Sequence, residues 1–195
     1  MPLLSLQNVV AYRGSKPLFN PATFTVGQGE FAIVSADNGV GKTTLLDCIA
    51  GLYHNWTGII TKQYREISYL QQTASYVKTL SLRDQATLVI GFDAQRYSRL
   101  VNSLSLCKRD RVLLSLLSGG ELQRAKLLLA LLRRHKILLL DEPLANVDLA
   151  SRQAVVRELE ETKQERATVI VSHPRDTQGV AFKGSVNLEL CCKER

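Results

Sequence analysis

The chain has 195 residues, 45% of them hydrophobic and 22% charged, with a formal net charge of +7. That length gives room for one folded domain with a small subdomain, and no stretch approaches the roughly 18 unbroken apolar residues of a membrane span. The basic residues are scattered, without an aromatic-plus-basic stripe, so the charge reads as a solvated face and no specific nucleic-acid partner is expected. The opening Met1-Pro2-Leu3-Leu4-Ser5-Leu6 lacks the basic region and cleavage pattern of a signal peptide. The four cysteines, Cys48, Cys107, Cys191 and Cys192, show no metal-ligand spacing, which suits a reducing cytoplasm.

Taken in order, Leu3 to Val10 alternates imperfectly and predicts a strand. Tyr12 to Pro17 reads as a turn region and Ala22 to Val26 as a second strand. Phe31-Ala32-Ile33-Val34 predicts a third strand, and Leu45 to Ala50 a helix that stops at Gly51. Asn55 to Gly58 reads as a turn, with short strands at Ile59-Ile60 and Ile67 to Leu70. From Ser81 to about Leu117 the chain becomes leucine-rich with interspersed charge, and a small helical subdomain is expected there, interrupted at Gly91. A long helix follows over Glu121 to Arg134, with Leu122, Ala125, Leu129 and Leu132 on one face. Lys136 to Leu140 and Ala167 to Val171 predict buried parallel strands, separated by a helix over Leu149 to Lys163. Val180 to Leu190 reads as two short edge strands. Alternating strands and helices argue an α/β fold.

Three constellations carry chemistry. The stretch Ala36-Asp37-Asn38-Gly39-Val40-Gly41-Lys42-Thr43-Thr44 lies between a predicted strand and a helix start. It resembles a phosphate-binding P-loop, with Ala36 where the motif has its first glycine. Backbone N–H groups and the helix N-terminus offer positive potential to phosphates, Lys42 a point charge, and Thr43 a hydroxyl for Mg²⁺. A glycine-rich turn with no ligand is the plainer reading of the same residues. Asp141 and Glu142 end an apolar strand, where an open parallel sheet binds its ligands. Asp141 is placed to hold Mg²⁺ and Glu142 to polarise an attacking water, although a polar strand end would look alike. His173 follows another core strand, where an imidazole could meet a γ-phosphate or simply cap the strand. Leu117-Ser118-Gly119-Gly120-Glu121 places a serine and two glycines at a helix N-terminus, a second anion site or a turn.

The order of these motifs resembles the nucleotide-binding subunit of an ABC transporter across nearly the whole chain. The Leu-Ser-Gly-Gly-Glu-Leu-Gln-Arg stretch at 117–124 is similar to the family's signature, with Glu121 where the family has glutamine. Asp37 stands where the family often has proline or serine. The resemblance implies a P-loop NTPase fold of ABC type, with a mixed or parallel core sheet and a helical subdomain inserted at about 81–117 of a single domain spanning 1–195. It implies ATP and Mg²⁺ as ligands and an ATPase coupled to transport. Tyr12 would stack on adenine. Asn38, Gly39, Gly41, Lys42, Thr43 and Thr44 would bind phosphates, and Thr43, Gln72 and Asp141 would hold the metal. Glu142 would be the catalytic base and His173 the switch histidine. Asn146-Val147-Asp148 would cross a dimer interface.

By the same resemblance, two copies form a head-to-tail homodimer. ATP lies between one copy's P-loop and the other's Ser118, Gly119 and Gly120. Residues after Gln72, with the helical subdomain, would take a coupling helix of an integral membrane subunit. The protein would then sit peripherally on the cytoplasmic face of the inner or plasma membrane. The short region between Gly58 and Tyr69 resembles small metal importers and haem exporters, with metal, haem and lipid-related cargo undecided. Two alternatives belong to other classes: a soluble ABC ATPase acting on nucleic acid or the ribosome, and a catalytically weak module that dimerises on ATP.

Overall fold

The computed structural model of the chain describes residues 1–72, 76–176, 182 and 185–191. Two sheets share the structure. The first is antiparallel, with β1 (Leu4–Arg13) flanked by β3 (Ala22–Val26) on one side and β5 (Trp56–Lys62) on the other, and β2 (Lys16–Pro17) folded back on the end of β1. The second is entirely parallel: β4 (Phe31–Ser35), β6 (Ile67–Leu70), β7 (Ile137–Asp141), β8 (Ala167–Ser172) and β9 (Ser185–Glu189) lie in the order β6-β7-β8-β4-β9. Of the mixed or parallel core sheet expected, the parallel form is found, with the antiparallel strands in a separate sheet.

Alternation along the parallel strands builds two cores. Ala32, Val34, Leu139, Val169 and Val171 face the antiparallel sheet and helix α1 (Lys42–Ala50). Phe31, Ile33, Leu138, Leu140 and Ile170 face the remaining helices. Those are α2 (Leu82–Thr87), α3 (Ala94–Ser103), α4 (Gly119–Leu132) and α5 (Leu149–Thr162). With apolar neighbours on both faces, the central strands are almost fully buried, which is why they read as continuous hydrophobic runs. Among the described residues no helix is long and apolar enough to cross a membrane.

Several predicted elements shift. Tyr12 lies in β1, not in a turn, and the reversal is made at Gly14, whose φ is +63°. Asn55 to Gly58 is not a turn either, since β5 begins at Trp56 and runs through Gly58. Gly58 has φ +98° because β1 bulges against it: a Cβ there would lie 2.4 Å from the Asn8 carbonyl oxygen. The predicted edge strands over 180–190 give one strand, β9, with residues 180, 181, 183 and 184 outside the described residues, as is Cys192.

Side chains start the helices after α1: Ser81 with Asp84 on α2, Asp93 on α3, Ser118 with Glu121 on α4, and Asp148 on α5. The α4 stripe was expected on one face, but Leu127, Leu128, Ala130 and Leu131 are buried as well. Its last turn is therefore enclosed, and its carbonyls need donors from elsewhere. Arg96 donates to the Leu131 carbonyl through Nε at 3.2 Å and Nη2 at 3.0 Å, and Arg166 Nη1 donates to the Arg133 carbonyl at 3.2 Å. Glu165 bridges the two guanidinium groups, at 2.9 Å from each. This cluster fastens α3 to the end of α4 and to the start of β8.

Candidate nucleotide site

The loop after β4 turns back over the N-terminus of α1. Gly39 and Gly41 adopt φ values of +83° and +109°. At Gly41 a Cβ would also meet Phe19 at 3.0 Å and Leu18 at 3.2 Å, so glycine is required there twice over. Ala36, standing where the motif has glycine, is buried without a left-handed backbone, and its N–H donates to the Ser172 carbonyl at 3.3 Å. The substitution therefore fits the loop. Lys42 lies inside the turn, 6% exposed, with Nζ donating to the carbonyls of Ala36 at 2.8 Å and Asp37 at 3.2 Å. The same ammonium is 3.4 Å from Glu142 Oε1.

Thr43 Oγ1 donates to Asp141 Oδ2 at 2.7 Å, joining the start of α1 to the end of β7. Asp141 is 1% exposed, and its other oxygen, Oδ1, is buried without a partner. Burial, helped by the neighbouring Glu142 charge, pushes this carboxyl up to about 6 against the Thr43 hydrogen bond. A buried carboxylate oxygen with an open position, beside a hydroxyl, is the hard-oxygen donor set that Mg²⁺ prefers, so the residues fit that ion. Glu142 follows, with φ +49°, a backbone conformation rare outside glycine. Its N–H donates to the Val171 carbonyl at 2.9 Å, and its Oε2 accepts from Gln72 Nε2 at 3.2 Å.

These groups open on a cleft of about 360 Å³ lined by Asn38, Gly39, Gly41, Lys42, Thr43, Thr44, Gln72 and Glu142, all anticipated from sequence. Tyr12 is not among the lining residues. Its hydroxyl lies 3.4 Å from Thr57 Oγ1 on β5, and the residue that lines the cleft is Arg13. Arg13 was not singled out from the sequence, because it belongs to no motif.

Asp141, which is buried, is not itself among the lining residues, and two further anticipated groups also lie outside the lining. His173 Nδ1 accepts the Arg175 N–H at 3.2 Å, which places the ring proton on Nε2, 3.4 Å from Asp37 Oδ1. Ser118, Gly119 and Gly120 start α4 and are not among the lining residues, and among the described residues beyond the helix itself nothing lies within 4 Å of a Cβ built at Gly119. Glu121 folds back onto that helix start, its carboxyl held down at about 2 by the Ser118 N–H and then by Arg109.

Residues 19–145 match the family model described as ABC transporter. The chain is 28% identical to the zinc import ATP-binding protein ZnuC of Saccharophagus degradans, over 98% of this chain and 78% of the relative. It is 32% identical to the putative hemin import ATP-binding protein HrtA of Staphylococcus aureus, over 78% of this chain and 80% of the relative. A solved structure described as the ATP binding subunit of an ABC transporter superposes with a TM-score of 0.79 at 22% identity, covering 95% of this chain and 85% of that one, and so shares the fold. With these matches the chain belongs to the ABC transporter family, as an ATP-binding subunit whose hydrolysis of ATP drives transport through a membrane partner.

Proposed function

We propose that two copies of this chain work head to tail, each cleft being closed by the other copy's Ser118, Gly119 and Gly120. They sit peripherally on the cytoplasmic face of the membrane and move a metal or haem-related cargo. The observation that carries the catalytic part is the Thr43–Asp141 contact at 2.7 Å, with Asp141 Oδ1 unpartnered and Glu142 next to it. Phosphates of ATP enter over the loop N–H groups and the start of α1. Lys42 then exchanges its contact with Glu142 for the phosphate oxygens, which frees the carboxylate to take a proton from water. The water oxygen bonds to the γ-phosphorus, the bridging oxygen leaves with ADP, and His173 holds the γ-phosphate or the water. Thr43 and Asp141, with Gln72, would hold Mg²⁺, which supplies positive charge to the phosphate oxygens.

Arg13 belongs to this reading as a second cation in the cleft. Among the described residues it has no ion-pair partner, and a planar guanidinium suits either a purine face or a phosphate. Arg13→Ala is expected to raise the Kd for ATP about five- to tenfold in a fluorescence titration, with the difference shrinking at high salt.

Closure in trans is tested at Gly119, where a Cβ meets nothing within 4 Å among the described residues beyond the helix itself. Gly119→Asp sets a negative charge where the partner's phosphates would lie, and it should lower hydrolysis at least about tenfold. Nucleotide binding by the monomer should stay within about twofold, since an acidic residue is tolerated at a helix start. Unchanged hydrolysis, or loss of binding by the monomer, would remove the trans role.

A further inference from the structure

Two side chains of α4 are bonded to the backbone of Glu142 and Gln72 without lining the cleft. Gln123 Nε2 donates to the main-chain carbonyl of Glu142 at 2.9 Å. One turn further on, Lys126 Nζ donates to the main-chain carbonyl of Gln72 at 3.2 Å. Positions three apart lie on one helix face. The two carbonyls belong to the two residues whose side chains meet each other, Gln72 Nε2 to Glu142 Oε2 at 3.2 Å. One helix face therefore holds both ends of that contact.

Glu142 has a particular need for such a hold. Its φ of +49° is unfavourable for a residue with a side chain and persists only where surrounding bonds impose it. The N–H is fixed by the Val171 carbonyl, which secures the end of the strand. The carbonyl accepts from the Ala145 N–H at 3.1 Å and from Gln123. The second of these fixes the peptide to another element and so sets the direction in which the carboxylate leaves the backbone. The start of α4 is also close to the same loop, because a Cβ at Gly120 would lie 3.0 Å from the Asn146 carbonyl oxygen.

We infer that Gln123 and Lys126 are positioning residues: they set the Glu142 carboxylate and the Gln72 amide from the helix that begins at Ser118-Gly119-Gly120. The inference rests on Glu142 being the catalytic base. Its consequence is mechanical. The helix is continuous from Gly119 to Leu132, so a displacement of its N-terminus by a docking second copy is delivered to the base and the amide of the same chain. Assembly at one nucleotide thereby adjusts the chemistry at the other.

Steady-state hydrolysis by the full chain tests this with four variants. Gln123→Leu keeps the bulk and removes the donor. It should lower kcat about tenfold, the rate equivalent of one lost positioning hydrogen bond, with KM for ATP within about twofold. The thermal midpoint should fall by no more than about 2–4 °C. Gln123→Lys restores a donor of similar reach and should recover most of kcat. Lys126→Met should behave as Gln123→Leu does, and Lys126→Arg should recover. A parental kcat in Gln123→Leu overturns the inference. So does an equal loss in Gln123→Lys, since a purely structural role would not distinguish the two. Glu142→Gln, measured alongside, separates the two levels. If it turns over normally, the base is misassigned and the inference falls with it. If it is inactive while Gln123→Leu is unaffected, only the positioning role is lost.

Discussion

Glu142→Gln is expected to lower ATP turnover by on the order of a thousandfold and to leave nucleotide binding intact. The amide has the size of the carboxylate and can still accept from Gln72 Nε2, so the backbone at φ +49° and the contact at 3.2 Å have no reason to move. What is lost is the only function glutamine cannot supply, a base that takes the proton of the attacking water. A second consequence follows from Lys42, whose ammonium lies 3.4 Å from Glu142 Oε1. Without that negative partner Lys42 is more available to the phosphates, so ATP should bind at least as tightly as to the parent chain. ATP that is bound and not hydrolysed should accumulate a closed pair of chains, seen as an ATP-dependent shift to dimer mass in size-exclusion chromatography with light scattering. Phosphate release at the parental rate would exclude Glu142 as the base. Loss of turnover with monomers only would leave the base in place and exclude closure by a second copy.

The largest expected effect on stability is at Glu165. Arg166 has no exposed side-chain surface and Arg96 has 7%, and Glu165 is the carboxylate that both share. Glu165→Ala leaves two cations facing each other, one of them wholly buried, which should cost about 3 kcal/mol after allowing for the partial exposure of Glu165 itself. For a chain of this length that is a fall of roughly 10 °C in the thermal midpoint. Burial works against the charge on Glu165, but the hydrogen bonds from Arg96 and Arg166 outweigh it and hold the carboxyl down at about 2, from an ordinary 4.5. A carboxyl depressed in the folded state stabilises fully above its unfolded value. The contribution is therefore complete above about pH 4.5 and disappears as the pH falls towards 2, where the parent and Glu165→Ala should converge. Calorimetry between pH 3 and 7 reads both; a difference that stays constant with pH would assign the effect to packing instead of charge.

The parts of the site that were legible in the sequence are contiguous. Ala36 to Thr44 and Asp141-Glu142 each follow an apolar strand, so pattern and chemistry are read in one place. Arg13, which lines the cleft and belongs to no motif, shows where this stops. The register of β1 shifts between Leu6 and Val9 against β3, and between Gln7 and Val10 against β5, with Asn8 at φ +50°. A bulge of this kind changes which residues share a face, and nothing in the local sequence announces it except Gly58, on a different strand, which read as a turn. The same holds for partners far apart in the chain. Arg96 with Glu165 and Gln123 with Glu142 leave no periodic trace, because the need they meet, an enclosed helix end or a strained backbone, exists only after the elements have packed. The pairing of strands was equally out of reach: alternation predicts that Ile67 to Leu70 is a strand, but not that it borders β7.

The place of β4 in the parallel sheet has a consequence for how the protein is made. Both of its hydrogen-bonding edges are filled by strands from the far end of the chain, β8 on one side and β9 on the other. At ribosomal speeds of about 5–20 residues per second, the strand that carries the phosphate loop waits roughly ten seconds for its first neighbour. During that interval Phe31-Ala32-Ile33-Val34 is an apolar edge without a partner, the kind of segment that pairs with other chains. Production of this subunit should therefore depend on chaperones that shield nascent chains, and changes that delay β8 should reduce soluble yield before they alter any property of the finished ATPase.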